Sequence, residues 1–307
     1  MILGIDISQR DVAVILAKPD GSAELALRED LPRIGGANAV WLAVVEVVRQ
    51  ILLQGHVVAS QIEKTGVAFF APLDINGMVA KDSRGANWAG FDLKRAVKEH
   101  LGIENCSVQT RVRCEALAEE KFGALLECEN WLYVHLGQNV EAAARVEGVL
   151  PLGASRAALE LGAVCIDRDG ALGESGRRGT LDAYCGEDAF MARARGYALT
   201  FQTAGEIWES SATNAMAKSL CDDFIARLAQ GLGTACALFN PSRVVIGGEL
   251  FHQFGENLML PLSTRVKEYC LPVHFQNLQF LAGQLGNDAA VLGAVALALE
   301  NDVEEKS

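Results

Sequence analysis

The sequence predicts a duplicated α/β fold of two lobes around a central cleft, and three observations predict it. A meander of strand-like runs closed by a helix opens the chain, a second meander begins near its middle, and no low-complexity linker separates the two. With 307 residues, half of them hydrophobic, there is enough apolar surface for one large core or two medium ones.

The elements follow in order. Met1 to Ile7 and Val12 to Ala17 are rich in Ile, Val and Leu, and Pro19-Asp20-Gly21 supplies a turn before a third run, Ala23 to Leu27. Ala39 to Gln54 has helical apolar spacing with Gly55 as its C-cap, and Lys64 to Phe70 is the next strand. Turns at Ala71-Pro72 and Asn76-Gly77 lead to an amphipathic helix over Phe91 to Leu101, closed by Gly102. Ser107 to Val112 reads as a strand feeding a helix over Cys114 to Leu126. Trp131 to Leu136 and Ala142 to Val146 open the second meander, which ends at Glu147-Gly148. Helices over Glu187 to Tyr197, Thr203 to Ser210 and Asn214 to Phe239 precede a strand at Arg243 to Ile246 and another helix. A strand near Leu278 to Leu281 and a last helix from Asp288 complete the chain. The expected lobes are 1–115 and 116–307 with the hinge near 110–125, the last helix, about 288–300, packing back on the first lobe.

Composition excludes several functions. A formal charge of -12 disfavours a nonspecific grip on nucleic acid. Arg177-Arg178 is better read as a turn than as a phosphate-tracking patch, and no DNA-binding arm is expected ahead of Met1. The apolar stretches Ala39 to Val48 and Ala289 to Leu299 fall short of the roughly 20 residues a bilayer requires, so a cytoplasmic, non-membrane protein is expected. The cysteines, 8 in number, include no C-x-x-C pair and read as reduced core thiols. Glu304 and Glu305 belong to a solvated acidic tail.

Certain motifs carry a resemblance. Leu3-Gly4-Ile5-Asp6-Ile7, Gly66-Val67-Ala68, Trp88, Ala116-Leu117-Ala118-Glu119, Leu136-Gly137 and Gly153-Ala154-Ser155 occur in that order. Gly176-Arg177-Arg178-Gly179, Leu181-Asp182-Ala183-Tyr184, Asn240-Pro241, Val244-Val245-Ile246-Gly247-Gly248 and Leu285 to Ala294 follow them. Together they resemble the landmarks of the ROK family of repressors, open reading frames and kinases over essentially the whole chain. The resemblance implies the actin-like ATPase (ribonuclease H-like) fold, with ATP between lobes, a sugar deep in the cleft and frequent oligomers. Function still has to be read from the site.

Against the family pattern the chemistry is depleted. The family's first phosphate loop, Asp-x-Gly-Gly-Thr, is here Asp6-Ile7-Ser8-Gln9-Arg10, so Asp6 either ends a strand and bonds the neighbouring turn or keeps residual metal binding. The second, glycine-rich loop is Leu136-Gly137-Gln138-Asn139-Val140-Glu141-Ala142-Ala143, and Glu141 brings a like charge toward phosphates. A unit charge pair at ~4 Å is worth about 4 kcal/mol at an effective dielectric near 20. The family's catalytic aspartate aligns with Arg111, which has no acceptor lone pair and cannot serve as base. No aspartate lies between Ile103 and Glu120. Glu115, one helical turn on, is the weak substitute, with a solvated or paired carboxylate as the other reading.

The resemblance also implies a sugar pocket and a zinc site. The sugar-binding asparagine maps near Asn87, with Asp82 as an alternative. The family's Glu-x-Gly-His is Glu160-Leu161-Gly162-Ala163, leaving Glu160 as a hydroxyl acceptor or a structural residue. Three cysteine ligands correspond to Gly173, Ser175 and Thr180, so zinc is not expected. Asp182 stands at a sugar-binding glutamate, while Gly247 and Gly248, which pack under adenosine in the family, are kept.

The expected protein is a ROK body that has lost the usual phosphorylation and acts through a small carbohydrate-like ligand, a regulatory partner or a scaffold role, as a homodimer without direct nucleic-acid contact. Two alternatives stay open: a diverged, active hexose or amino-sugar kinase or repurposed enzyme using Asp6, Asp82, Glu141, Glu160 and Asp182, and a regulator body lacking its DNA-binding domain. ATP and magnesium belong only to the kinase alternative; otherwise no cofactor is expected.

Overall fold

A computed structural model of the chain describes residues 1–32, 34–81 and 86–300. In chain order the elements are β1 (Ile2–Ile7), β2 (Asp11–Ala17), β3 (Ala23–Asp30), α1 (Gly36–Gln54), β4 (Lys64–Phe69), α2 (Leu93–Leu101), β5 (Cys106–Thr110) and α3 (Arg111–Phe122). There follow β6 (Trp131–Leu136), β7 (Val140–Arg145), α4 (Asp182–Cys185), α5 (Glu187–Gly196), α6 (Ala204–Ser210) and α7 (Ala215–Phe239). The chain continues through β8 (Arg243–Gly247), α8 (Glu249–Phe254), α9 (Met259–Val266), β9 (Gln279–Ala282) and α10 (Ala289–Glu300).

These elements form two compact units: Met1–Gly123 with Leu152–Ala158 and the segment from Asp288 onward, and Ala124–Pro151 with Leu159–Asn287. The boundary falls after Gly123 rather than at residue 115, because Arg111–Phe122 is one unbroken helix of the first unit.

The first unit holds one sheet in the order β3-β2-β1-β4-β5, antiparallel through the meander and parallel from β1 to β5. Alternation along β1 sends Leu3, Ile5 and Ile7 into a core shared with Trp41, Val44, Val48 and Ile51 of α1. Ile2, Gly4 and Asp6 face the opposite side, where Ile2 packs with Val291 and Val295 of α10. Two glycines set how close α10 lies. A Cβ on Gly66 of β4 would overlap the Ala294 carbonyl, and one on Gly293 would overlap that of Cys114 in α3.

The second unit holds a sheet in the order β7-β6-β8-β9, with β7 antiparallel and the rest parallel, over a core that includes Leu132, Val134, Phe190, Phe224 and Phe254. The duplicated arrangement is real but shortened: the second meander has two strands where the first has three. Glu147 (φ 51) and Gly148 (φ 76) reverse the chain after β7, leaving only the bridge between Val146 and Val149, and Pro151 has no N–H to continue a ladder.

Local capping explains several helix ends. Asp92, Thr203 and Asn214 accept hydrogen bonds from the first turns of α2, α6 and α7, and Gly102 closes α2 in the left-handed conformation. Three expectations need correction. α1 begins at Gly36, and its 19 residues are long and apolar enough, by length and composition, to cross a membrane, unlike the shorter run foreseen from the sequence. In this fold its Trp41, Val44, Val48 and Ile51 are core residues. Cys165 is exposed rather than a core thiol. The strand expected to reach Val112 stops at Thr110, whose N–H is taken by the Gln109 side chain at 3.0 Å, and α3 starts at Arg111.

Gly66→Ala should cost about 3 kcal/mol in a urea melt, because the clash is with backbone that cannot give locally. Gly196→Ala, at the end of α5 with nothing near its Cβ position, should be neutral or stabilising by up to about 1 kcal/mol. Equal losses at both positions would argue against the close approach of α10 as the constraint.

Candidate functional site

In the first unit the site forms where β1 ends beneath the start of α3. Asp6 is fully buried, and its Oδ1 accepts from Arg111 Nε at 2.9 Å. One helical turn on, Glu115 Oε1 lies 3.7 Å from Arg111 Nη2 and is itself buried. Arg111 is thus a cation held between two carboxylates. Asp6 Oδ2 is buried without a hydrogen-bond partner among the described residues. Burial pushes the Asp6 carboxyl up to about 6 from an ordinary 3.8; the Arg111 charge opposes this and Glu115 adds to it.

The neighbouring loop closes on itself. Ser8 Oγ accepts from the N–H groups of Arg10 and Asp11 at 3.0 and 2.9 Å, and Ser8 N–H donates to the Asp11 carbonyl at 2.9 Å. The Ser8 hydroxyl also bonds the Asp11 carboxylate, whose Oδ2 takes Arg28 Nη1 at 2.8 Å. Arg28 in turn reaches Asp288 at 3.2 Å, tying the loop to the residue before α10. Burial would raise the Asp11 carboxyl, but hydrogen bonds from Ser8 and Arg28 hold it below the usual range. An anion-binding loop works by pointing free N–H groups at its ligand. Those of Ser8, Arg10 and Asp11 already have acceptors.

The second unit treats its loop the same way. Val140 N–H donates to Asp182 Oδ1 at 2.7 Å, Gly137 N–H to the Asn139 carbonyl at 3.2 Å, and the Gly137 carbonyl accepts from Glu187 N–H at 3.0 Å. Gln138 Nε2 reaches Asp188 at 2.9 Å. His135 Nε2 and Glu249 Oε2, 3.1 Å apart, crowd the space beside Gly137, where a Cβ would collide with both. Glu141 pairs directly with His135 in the β6–β7 register and therefore shares its face of the sheet. Four carboxylates, those of Glu141, Asp182, Asp188 and Glu249, thus gather around this hairpin. The residues present do not fit a magnesium triphosphate in either unit.

The other expected residues separate. Gly247 lies under the Tyr133 hydroxyl, and Gly248, at φ 97, abuts the Leu136 backbone, so both serve close packing. Asp182 turns its carboxylate inward against Gly162 and the Val140 amide. Glu160 is half-buried at the start of the short helical turn Leu161–Ala163. Asn87 is exposed on the turn before Trp88, whose ring packs 5.1 Å from Phe69 and 5.0 Å from Phe91. Asp82 lies outside the described residues. Sequence reasoning missed Ser8, Asp11 and Arg28. Their signal was the Ser-x-x-Asp spacing of an ST-turn and the diagonal placement of Asp11 and Arg28 on β2 and β3.

Each unit carries three parallel strands extended on one side by antiparallel strands, two in the first unit and one in the second, with helices alongside, which is the fold of the actin-like ATPases. The chain matches the ROK family over residues 2–301 and belongs to it. A glucokinase from Thermotoga maritima is 24% identical over 317 aligned residues, 97% of each chain. A xylose repressor from Bacillus subtilis is 22% identical over 240 residues, 74% of this chain and 60% of the repressor. The crystal structure of a ROK hexokinase from Thermus thermophilus superposes with a TM-score of 0.84 at 20% identity, over 99% of both chains.

Because the folded-state value for Asp6 lies above its unfolded value, this group favours folding most below pH 4, and its contribution fades as pH rises through 6. Asp6→Asn removes the titration. The stability of the native protein relative to this variant should fall by up to about 3 kcal/mol between pH 4 and pH 7, read from urea midpoints. Parallel curves for the two proteins would contradict the raised value.

Proposed function

We propose that this chain is a ROK protein that binds a small carbohydrate-like ligand and does not transfer a phosphoryl group from ATP, acting instead as a regulatory or scaffold protein, as a homodimer. The carrying observation is the Asp6–Arg111 ion pair. Arg111 stands where the family places the aspartate that takes the sugar hydroxyl proton, and a guanidinium has no lone pair to accept it. The Ser8 turn adds a second obstacle, since it already satisfies the Ser8, Arg10 and Asp11 amides of that loop. Glu115, the substitute base, is engaged by Arg111, which argues against the kinase alternative. The similarity to a xylose repressor favours a role in which the ROK body responds to a sugar without phosphorylating it.

Calorimetric titration and thermal melting with ATP–magnesium, hexoses, amino sugars and sugar phosphates test this reading. ATP–magnesium should give neither heat nor a melting shift, whereas a sugar at 100 times its Kd should stabilise the fold by about 2.7 kcal/mol. ATP-dependent phosphorylation abolished by Glu115→Gln would overturn the proposal. Arg111→Asp should not create a kinase, because both loops stay closed. It should destabilise the protein by about 3 kcal/mol or more, since Asp6 and Glu115 lose their cation.

A further inference from the structure

Between Ala163 and Asp182 the chain of the second unit runs mostly without regular secondary structure, and the family expectation is that a metal orders such a loop. The residues do not fit one. The positions corresponding to ligands are Ala163, Gly173, Ser175 and Thr180, and among the described residues no three His, Cys, Asp or Glu side chains converge to hold an ion. The loop nevertheless has a fixed path. Gly179 N–H donates to the Ala171 carbonyl at 2.8 Å, and its own carbonyl accepts from Ile166 and Asp167 at 2.8 and 3.1 Å.

What fixes it is a set of side chains on α4 and one stripe of α7. The Tyr184 hydroxyl donates to Asp167 Oδ2 at 2.9 Å and accepts from Ala171 N–H at 3.0 Å, so one group fastens two points of the loop. Arg227 Nη1 reaches the same Asp167 oxygen at 2.9 Å while its guanidinium lies 4.3 Å from the Tyr184 ring centre. Asp223, one turn earlier on α7, accepts from Arg227 Nε and from Arg193 of α5. Gln230, nearly one turn later, donates to the Ile166 carbonyl at 2.9 Å. Residues 223, 227 and 230 form one face of the helix, laid along the loop. Hydrogen bonds from Tyr184 and Arg227 hold the Asp167 carboxyl below the usual carboxylate range.

We infer that Asp167, Tyr184 and Arg227 form a metal-independent staple that orders loop 163–180 and positions α4, and through α4 the Asp182 carboxylate on the Val140 amide. The link is covalent and short, since Asp182 and Tyr184 share one helical turn. These are positioning residues, and the inference holds whether or not the protein phosphorylates anything.

The test combines metal analysis with amide hydrogen exchange on the intact protein. Purified protein should contain no stoichiometric zinc, and a chelator should leave its melting temperature unchanged. Tyr184→Phe, which removes one oxygen and keeps the ring, should speed exchange at Ala171 and Gly179 by about tenfold while the amides of β6 and β8 stay protected. Arg227→Gln should do the same, and the double variant should be little worse than either single one, because both act through Asp167. Val140 supplies the readout that a purely local loop effect would not move: its exchange should quicken in both variants. Arg227→Lys should fail to restore protection, since an ammonium cannot span Asp167 and Asp223 while stacking on the ring. Bound zinc whose removal lowers the melting temperature, strictly additive loop effects, or an unchanged Val140 would each overturn the inference.

Discussion

The constraint on which the first unit turns is that Asp6 is withdrawn from water, Arg111 largely so, and the carboxylate cannot be left there alone. A buried ion pair contributes little net stability, but breaking it by removing one partner is costly. The pair fixes the orientation of the first turn of α3, and α3 in turn meets Gly293 of α10 at backbone distance. A carboxylate committed to a guanidinium on one oxygen and buried without a partner on the other is a poor metal ligand. The guanidinium, always protonated, is no base. Under the proposed reading, the same pair that holds the structure also occupies the groups that would do chemistry.

The second unit reaches a similar end by different residues. A phosphate loop depends on unsatisfied N–H groups and positive potential. Around Gly137 the chain supplies the reverse: Asp182 caps Val140, Asp188 draws off Gln138, and Glu249 with Glu141 flank His135. Each carboxylate alone is a modest obstacle at the dielectric of a partly exposed loop. Several together oppose a polyanion more strongly than loss of the glycines alone.

Much of this was legible in the sequence, and what was not has physical reasons. Strand alternation, helix periodicity and turn residues gave the order of elements because those signals are local. Arg111 was singled out by counting along the chain. Its pairing with Asp6, over a hundred residues away, depends on the sheet and helix that bring the two together. The end of β5 was misplaced because Arg111 and Val112 fit a strand as well as a helix start, and a side-chain bond from Gln109 helps decide it. The second meander ends at Glu147-Gly148 as its turn residues indicated, since that turn closes a bridge and not a further strand. The Asp167–Tyr184–Arg227 contacts span two helices and a loop and leave no trace in spacing.

The glycines that survive invite a nucleotide reading, and their surroundings weaken it. Gly247 and Gly248 match the family, yet a side chain at the first would strike the Tyr133 hydroxyl and one at the second the Leu136 backbone, at a φ of 97 that L-residues rarely adopt. Tyr133 and Leu136 belong to β6, so these contacts are needed to seat α8 on the sheet whatever the protein binds. Gly66 is constrained likewise by α10, and Gly293 of α10 by α3. Packing of this kind holds these glycines in place whatever the side chains of the neighbouring loops do. Glycine retention on its own therefore reports on the scaffold, and the side chains that fill the loops report on function.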